Sequence, residues 1–102
     1  MSERYTEIFK LKEKLEAIDL EHEFVNRSTD FFEQYQIIIC DNGERIISII
    51  EGDYTYGHEN DKLEIMGLLT PEEEEFDSVV GWLSADDVYE RIMKYYGSRK
   101  EL

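Results

Sequence analysis

The sequence predicts one α+β domain over residues 1–102: an antiparallel sheet of three to five strands, with N- and C-terminal helices packed on one face. Three observations carry that reading. An apolar stripe of helical period opens the chain, a second stripe with its own cap closes it, and between them two isoleucine-rich runs flank Asn42-Gly43.

The opening helix is expected over residues 3–20, where Tyr5, Ile8, Leu11, Leu15 and Ile18 recur at steps of three and four while charges fill the gaps. Ser2 is placed to cap it, and the stripe is of the kind that packs inward. A short extended piece over residues 23–26 follows, then a turn at Arg27-Ser28-Thr29-Asp30.

Residues 35–41 and 44–51 read as a hairpin, since Asn-Gly best supplies the two positive φ angles of a type I′ turn. An uninterrupted ladder from that turn pairs Ile39 with Ile46, Ile37 with Ser48 and Tyr35 with Ile50 on one face. It sets Ile38 beside Ile47, Gln36 beside Ile49 and Cys40 beside Arg45 on the other. Both faces are then substantially apolar. Helices on one side leave the second face to meet the rest of the chain or another subunit, and Ile38, Ile47 and Ile49 are the candidate homodimer contacts.

Residues 51–61, with Gly52, Gly57 and Asn60, read as a loop or distorted hairpin end. Residues 62–69 fit neither period cleanly and stay open between strand and short helix. Thr70-Pro71-Glu72-Glu73 has the form of a helix start: a capping threonine, proline at the first position, glutamate at the third. A strand over residues 78–83 leads to the last helix, with Ser84 as cap, Asp86 and Asp87 in the first turn, a stripe of Ala85, Val88, Ile92 and Tyr95, and Gly97 as the stop.

The formal charge of −14 is concentrated in the middle of the chain. From Glu21 to Glu90 nineteen acids face three bases, Arg27, Arg45 and Lys62, a local charge of −16. Such a field repels nucleic acid, anionic lipid and anionic metabolites and attracts cations and basic proteins, which argues against direct nucleic-acid or membrane partners. With 41% hydrophobic residues and thirteen aromatics, the chain carries too much apolar material for a solvated tail. Cys40 is the sole cysteine, and its place among isoleucines predicts a packed, inert thiol. A cytoplasmic protein is expected, since the N-terminus lacks a signal-peptide pattern and no apolar run approaches a membrane span.

Candidate chemistry is sparse. Residues 53–64 gather one imidazole and several carboxylates, and Asp53, His58, Glu59 and Asp61 are the nearest approach to a metal set. The calcium-loop pattern fails where glycine is required, because His58 stands at the sixth position. His58-Glu59 begins like a zinc-protease helix, but the fifth residue is Lys62; His22-Glu23 fails likewise at Asn26. Cys40 lacks a visible activating group, so no catalytic residue is assigned and no cofactor is called for. Glu72, Glu73, Glu74 and Glu75, followed by Phe76 and Asp77, form the candidate partner-binding run, with a solvated helix start as the plainer reading.

Tyr56-Gly57-His58-Glu59, residues 63–73 (LEIMGLLTPEE) and residues 80–92 (VGWLSADDVYERI) resemble the second half of a family of small uncharacterised acidic proteins from phages and prophages of Gram-positive bacteria. The first half is similar in layout. The resemblance implies a phage-derived cytoplasmic protein and brings no catalytic or binding residue with it. The leading expectation is a non-enzymatic accessory protein that binds a basic protein surface, in its sharper form a mimic of nucleic-acid charge that blocks a nucleic-acid-binding host protein. A small metal-dependent enzyme using residues 53–64 and a purely structural dimer module are the alternatives.

Overall fold

The computed structural model describes residues 4–53, 55 and 58–100, without the side chains of residues 58 and 98–100. Helix α1 (Glu7–Ala17) is followed by strands β1 (Glu23–Asn26), β2 (Gln34–Asp41) and β3 (Glu44–Gly52). A 3-10 turn (His58–Asn60), β4 (Leu63–Met66), α2 (Pro71–Phe76), β5 (Val80–Leu83) and α3 (Ala85–Lys100) follow. The five strands form one sheet in the order β1-β2-β3-β4-β5, antiparallel throughout. The two terminal helices contact each other and the sheet.

The core lies between those helices and one sheet face. Ile8, Leu11 and Leu15 from α1 and Val88 and Ile92 from α3 meet Ile37, Ile39, Ile47, Ile49, Leu63 and Ile65, and none of these is more than 1% exposed. Each such aliphatic side chain contributes roughly 1.5–3 kcal/mol relative to leaving it in water. Beside them Phe9, Phe24 and Tyr35 pack at centroid separations of 5.0–6.1 Å, joining α1 to the first two strands.

The turn forms as expected, with Asn42 at φ 53° and Gly43 at φ 82°. The ladder beyond it differs. Asp41 pairs with Glu44 and Cys40 with Arg45, but the next pairs are Ile39 with Ile47, Ile38 with Ser48, Ile37 with Ile49 and Tyr35 with Glu51. Ile46 is the extra residue of a β-bulge, and every residue after it changes face. The physical reason is visible in Ser48. An uninterrupted ladder would turn its hydroxyl toward the helices, whereas the bulge sets it on the other face beside Gln36, which donates from Nε2 to Ser48 Oγ at 2.7 Å. In exchange Ile47 and Ile49 enter the core at 0% exposure, and Glu51 enters with them.

Other boundaries also shift. Helix α1 starts at Glu7 with Thr6 at its N-cap; the Ser2 cap lies outside the described residues. Residues 63–66 resolve as strand, and α3 runs through Gly97 to Lys100, because an exposed glycine weakens a helix without ending it. Ser84 caps α3 reciprocally: its Oγ accepts from Asp87 N at 3.1 Å and its N–H donates to Asp87 Oδ2 at 3.0 Å. Cys40 is exposed rather than packed, because it stands at the hairpin end, two residues from the turn, beyond the buried Gln36 and Ile38 of its face. Among the described residues no helix is long and apolar enough to cross a membrane.

Candidate functional site

Two carboxylates from the candidate metal segment, Asp53 and Asp61, turn back onto the start of α1. The first N–H groups of any helix lack intrahelical acceptors. Here Asp61 Oδ1 accepts from Thr6 N at 2.7 Å and from Glu7 N at 3.2 Å, while its Oδ2 accepts from the Thr6 hydroxyl. Asp61 adopts φ 54°, a left-handed conformation that aspartate tolerates better than most residues. Glu51 completes the set from the end of β3, its Oε1 accepting from Ile8 N at 3.0 Å. Burial works to raise the Asp61 pKa, but the hydrogen bonds from Glu51, Thr6 and the backbone outweigh it and hold the carboxyl below its ordinary value.

Asp53 is equally engaged. Its Oδ1 accepts from the Tyr5 hydroxyl and from Arg4 Nη2 at 2.7 Å, and its Oδ2 from Glu33 N at 3.0 Å. The Tyr5 hydroxyl, then the Glu33 N–H, lowers the Asp53 pKa. These carboxylates thus act as internal caps and ties, with their lone pairs directed at the protein's own donors. Glu59 is exposed on the 3-10 turn, and the His58 side chain lies outside the described residues. Among the described residues no three His, Cys, Asp or Glu side chains converge as a metal would require.

The acidic run 72–75 divides by role. Thr70 and Glu73 form the expected capping box, Thr70 Oγ1 accepting from Glu73 N at 3.2 Å and Glu73 Oε1 accepting from Thr70 N at 2.8 Å. Glu73 also accepts from Nη1 and Nη2 of Arg91, at 2.8 and 2.7 Å, and that pair draws its pKa down to about 2. It is therefore committed to holding α2 against α3. Glu72, Glu74 and Glu75 point into solvent, as do Asp77 and Phe76, the last 90% exposed. Trp82, on the strand that follows, is 54% exposed.

Of the dimer candidates only Ile38 faces away from the helices; Ile47 and Ile49 lie in the core, displaced from that role by the bulge. Ile38 itself is 8% exposed. His22 and Cys40 line one shallow depression, where His22 Nδ1 lies 2.8 Å from the Leu20 carbonyl oxygen.

Sequence reasoning passed over Glu51. The signal that finds it is parity, since strand residues 47, 49 and 51 share a face once Ile47 and Ile49 are assigned to the core. Comparison with known proteins adds nothing to this picture: no family model, no curated protein and no solved structure matches the chain.

Proposed function

We propose that this is a non-enzymatic accessory protein that binds a basic protein surface through the α2 end of the molecule. The observation that supports the reading is a side chain out of place: Phe76, 90% exposed, surrounded in sequence by the outward carboxylates Glu72, Glu74, Glu75 and Asp77. Among the described residues no cation is paired with Glu72, Glu74 or Glu75, whereas Arg4, Lys10, Lys12, Lys14 and Arg91 each have an acid within 2.9 Å. Four of these bases are tied to acids elsewhere and Arg91 to Glu73 alone, so Glu72, Glu74 and Glu75 keep their negative field. A field of this sign steers a cationic partner, while an aromatic anchor supplies contact area that carboxylates lack. An aromatic centre with an acidic rim fits a protein partner better than a bare row of charges would.

The test is affinity capture from a lysate at low and high salt, with the wild type beside a Glu72→Gln, Glu74→Gln, Glu75→Gln triple variant and beside Phe76→Ala. Captured basic proteins that are lost at high salt and lost from both variants, while the melting temperature holds, support the proposal. Equal capture by the triple variant refutes it.

A further inference from the structure

The bulge that carries Ile47 and Ile49 inward also carries Glu51, a carboxyl at 0% exposure, to the point where β3 meets the start of α1. Its two oxygens are not equivalent. Oε1 accepts from Ile8 N at 3.0 Å. Oε2 is buried, and with both carboxyls ionised it has no donor among the described residues. Beside it on the same helix start lies the carboxyl of Asp61, which accepts from the N–H groups of Thr6 and Glu7, next to the Ile8 N–H that Glu51 takes, and which is the foremost charged group acting on Glu51. Two carboxyl groups form a hydrogen bond only when one retains its proton. Asp61 is surrounded by donors, so the proton belongs on Glu51 Oε2, and the orphaned oxygen becomes a donor to Asp61.

We propose that Glu51 is held as the neutral acid and that the proton it shares with Asp61 is a clasp, fastening the start of α1 to the end of β3 and releasing it when that proton is lost.

The surroundings agree. From α1 the nearest charged group acting on Glu51 is Glu7, and from the segment after the 3-10 turn it is Asp61; both are acidic and both oppose ionisation. The bases nearby are committed, Lys10 to Glu7 at 2.9 Å and Arg4 to Asp53 at 2.7 Å. Tyr35 of β2, paired across the ladder with Glu51, donates to Glu33 just before that strand at 2.6 Å, and on α3 Asp86 is paired with Lys14 at 2.8 Å. Tyr5 donates to Asp53. The Ile8 N–H and the helix dipole favour the anion, but burial comes first among the influences and pushes the Glu51 pKa up to about 9. Because the folded value exceeds the unfolded one, stability from this group is complete below about pH 4.5 and drains away as pH rises through the folded value.

The experiment is unfolding of the full chain by urea between about pH 6 and about pH 8, wild type against Glu51→Gln, since an amide accepts from Ile8 N and donates to Asp61 at any pH. The wild-type folding constant should fall up to about tenfold per pH unit relative to the variant. Carbon-13 NMR of the wild-type glutamate carboxyls should show one un-ionised signal at neutral pH, absent from Glu51→Gln. Parallel pH profiles, a Glu51→Gln variant that does not fold, or ionised glutamate carboxyls alone at neutral pH would each overturn the clasp.

Discussion

Glu73 offers the sharpest separation of a structural glutamate from its neighbours. Substitution by glutamine leaves an oxygen for Thr70 N and so keeps the capping box, but it replaces the two-pronged ionic contact with Arg91 by one bond to an uncharged oxygen at best. Both partners are about a quarter exposed, at 23% and 24%, so the charge-assisted pair is screened below its buried worth. A loss of about 1–2 kcal/mol follows for Glu73→Gln. Alanine removes the cap as well and costs about 1 kcal/mol more. For a domain of this size each kcal/mol moves the melting temperature by about 4–8 °C, which places Glu73→Gln roughly 5–15 °C below wild type and Glu73→Ala lower still. Thermal melting followed by circular dichroism reads both. The Glu73 pKa is depressed to about 2, so its contribution is complete above about pH 4.5 and lost as pH falls toward that value; the gap between wild type and Glu73→Gln should close in acid. The triple glutamine variant at 72, 74 and 75 should stay within about 0.5 kcal/mol of wild type. If Glu73→Gln melts with the wild type, or the triple variant falls as far as Glu73→Ala, the division of the run is wrong.

Two further outcomes probe the bulge and the core. Gly67→Ala should cost about 2–4 kcal/mol, because its Cβ would sit 2.3 Å from the carbonyl oxygen of the bulged Ile46 at φ 104°, while Gly43→Ala, at φ 82° with nothing within 4 Å, should cost only about 1 kcal/mol in urea unfolding. Ile49→Ala, at 0% exposure, should lose about 2–5 kcal/mol, whereas Met66→Ala, 53% exposed, should lose about 0.5 kcal/mol or less; equal losses would mean that the helices cover the other face.

Local chemistry was legible at three points of the sequence. Asn42-Gly43, the Thr70 box and the Ser84 cap are each decided by a few adjacent residues, and each stands where the pattern puts it. The bulge was not legible, because a run of isoleucines fits either register and the deciding contacts, Ser48 with Gln36 and Gly67 against Ile46, lie across strands. Everything depending on that parity moved with it: Ile47 and Ile49 went from expected interface to core, and Glu51 from unremarked to buried. Asp53 and Asp61 stood out by composition, yet their task is set by donors on Arg4, Tyr5, Thr6 and Glu7, about fifty positions away, which spacing within a loop cannot reveal. The same holds for Glu73, singled out with its neighbours but tied inward by Arg91.

The sheet also governs how the molecule can meet its own copies. Its outermost strands, β1 and β5, are four residues each, and β5 carries a register irregularity opposite Leu63 and Ile65 with Trp82 at φ 63°. A short border strand, broken in its ladder and twisted by a bulge, presents no straight row of free N–H and C=O groups for another strand to extend. Isoleucine-rich β2 and β3, the segments with most aptitude for fibrillar stacking, are enclosed between those borders. The molecule is thereby guarded against runaway strand addition by the geometry of its margins, independently of the charge it carries.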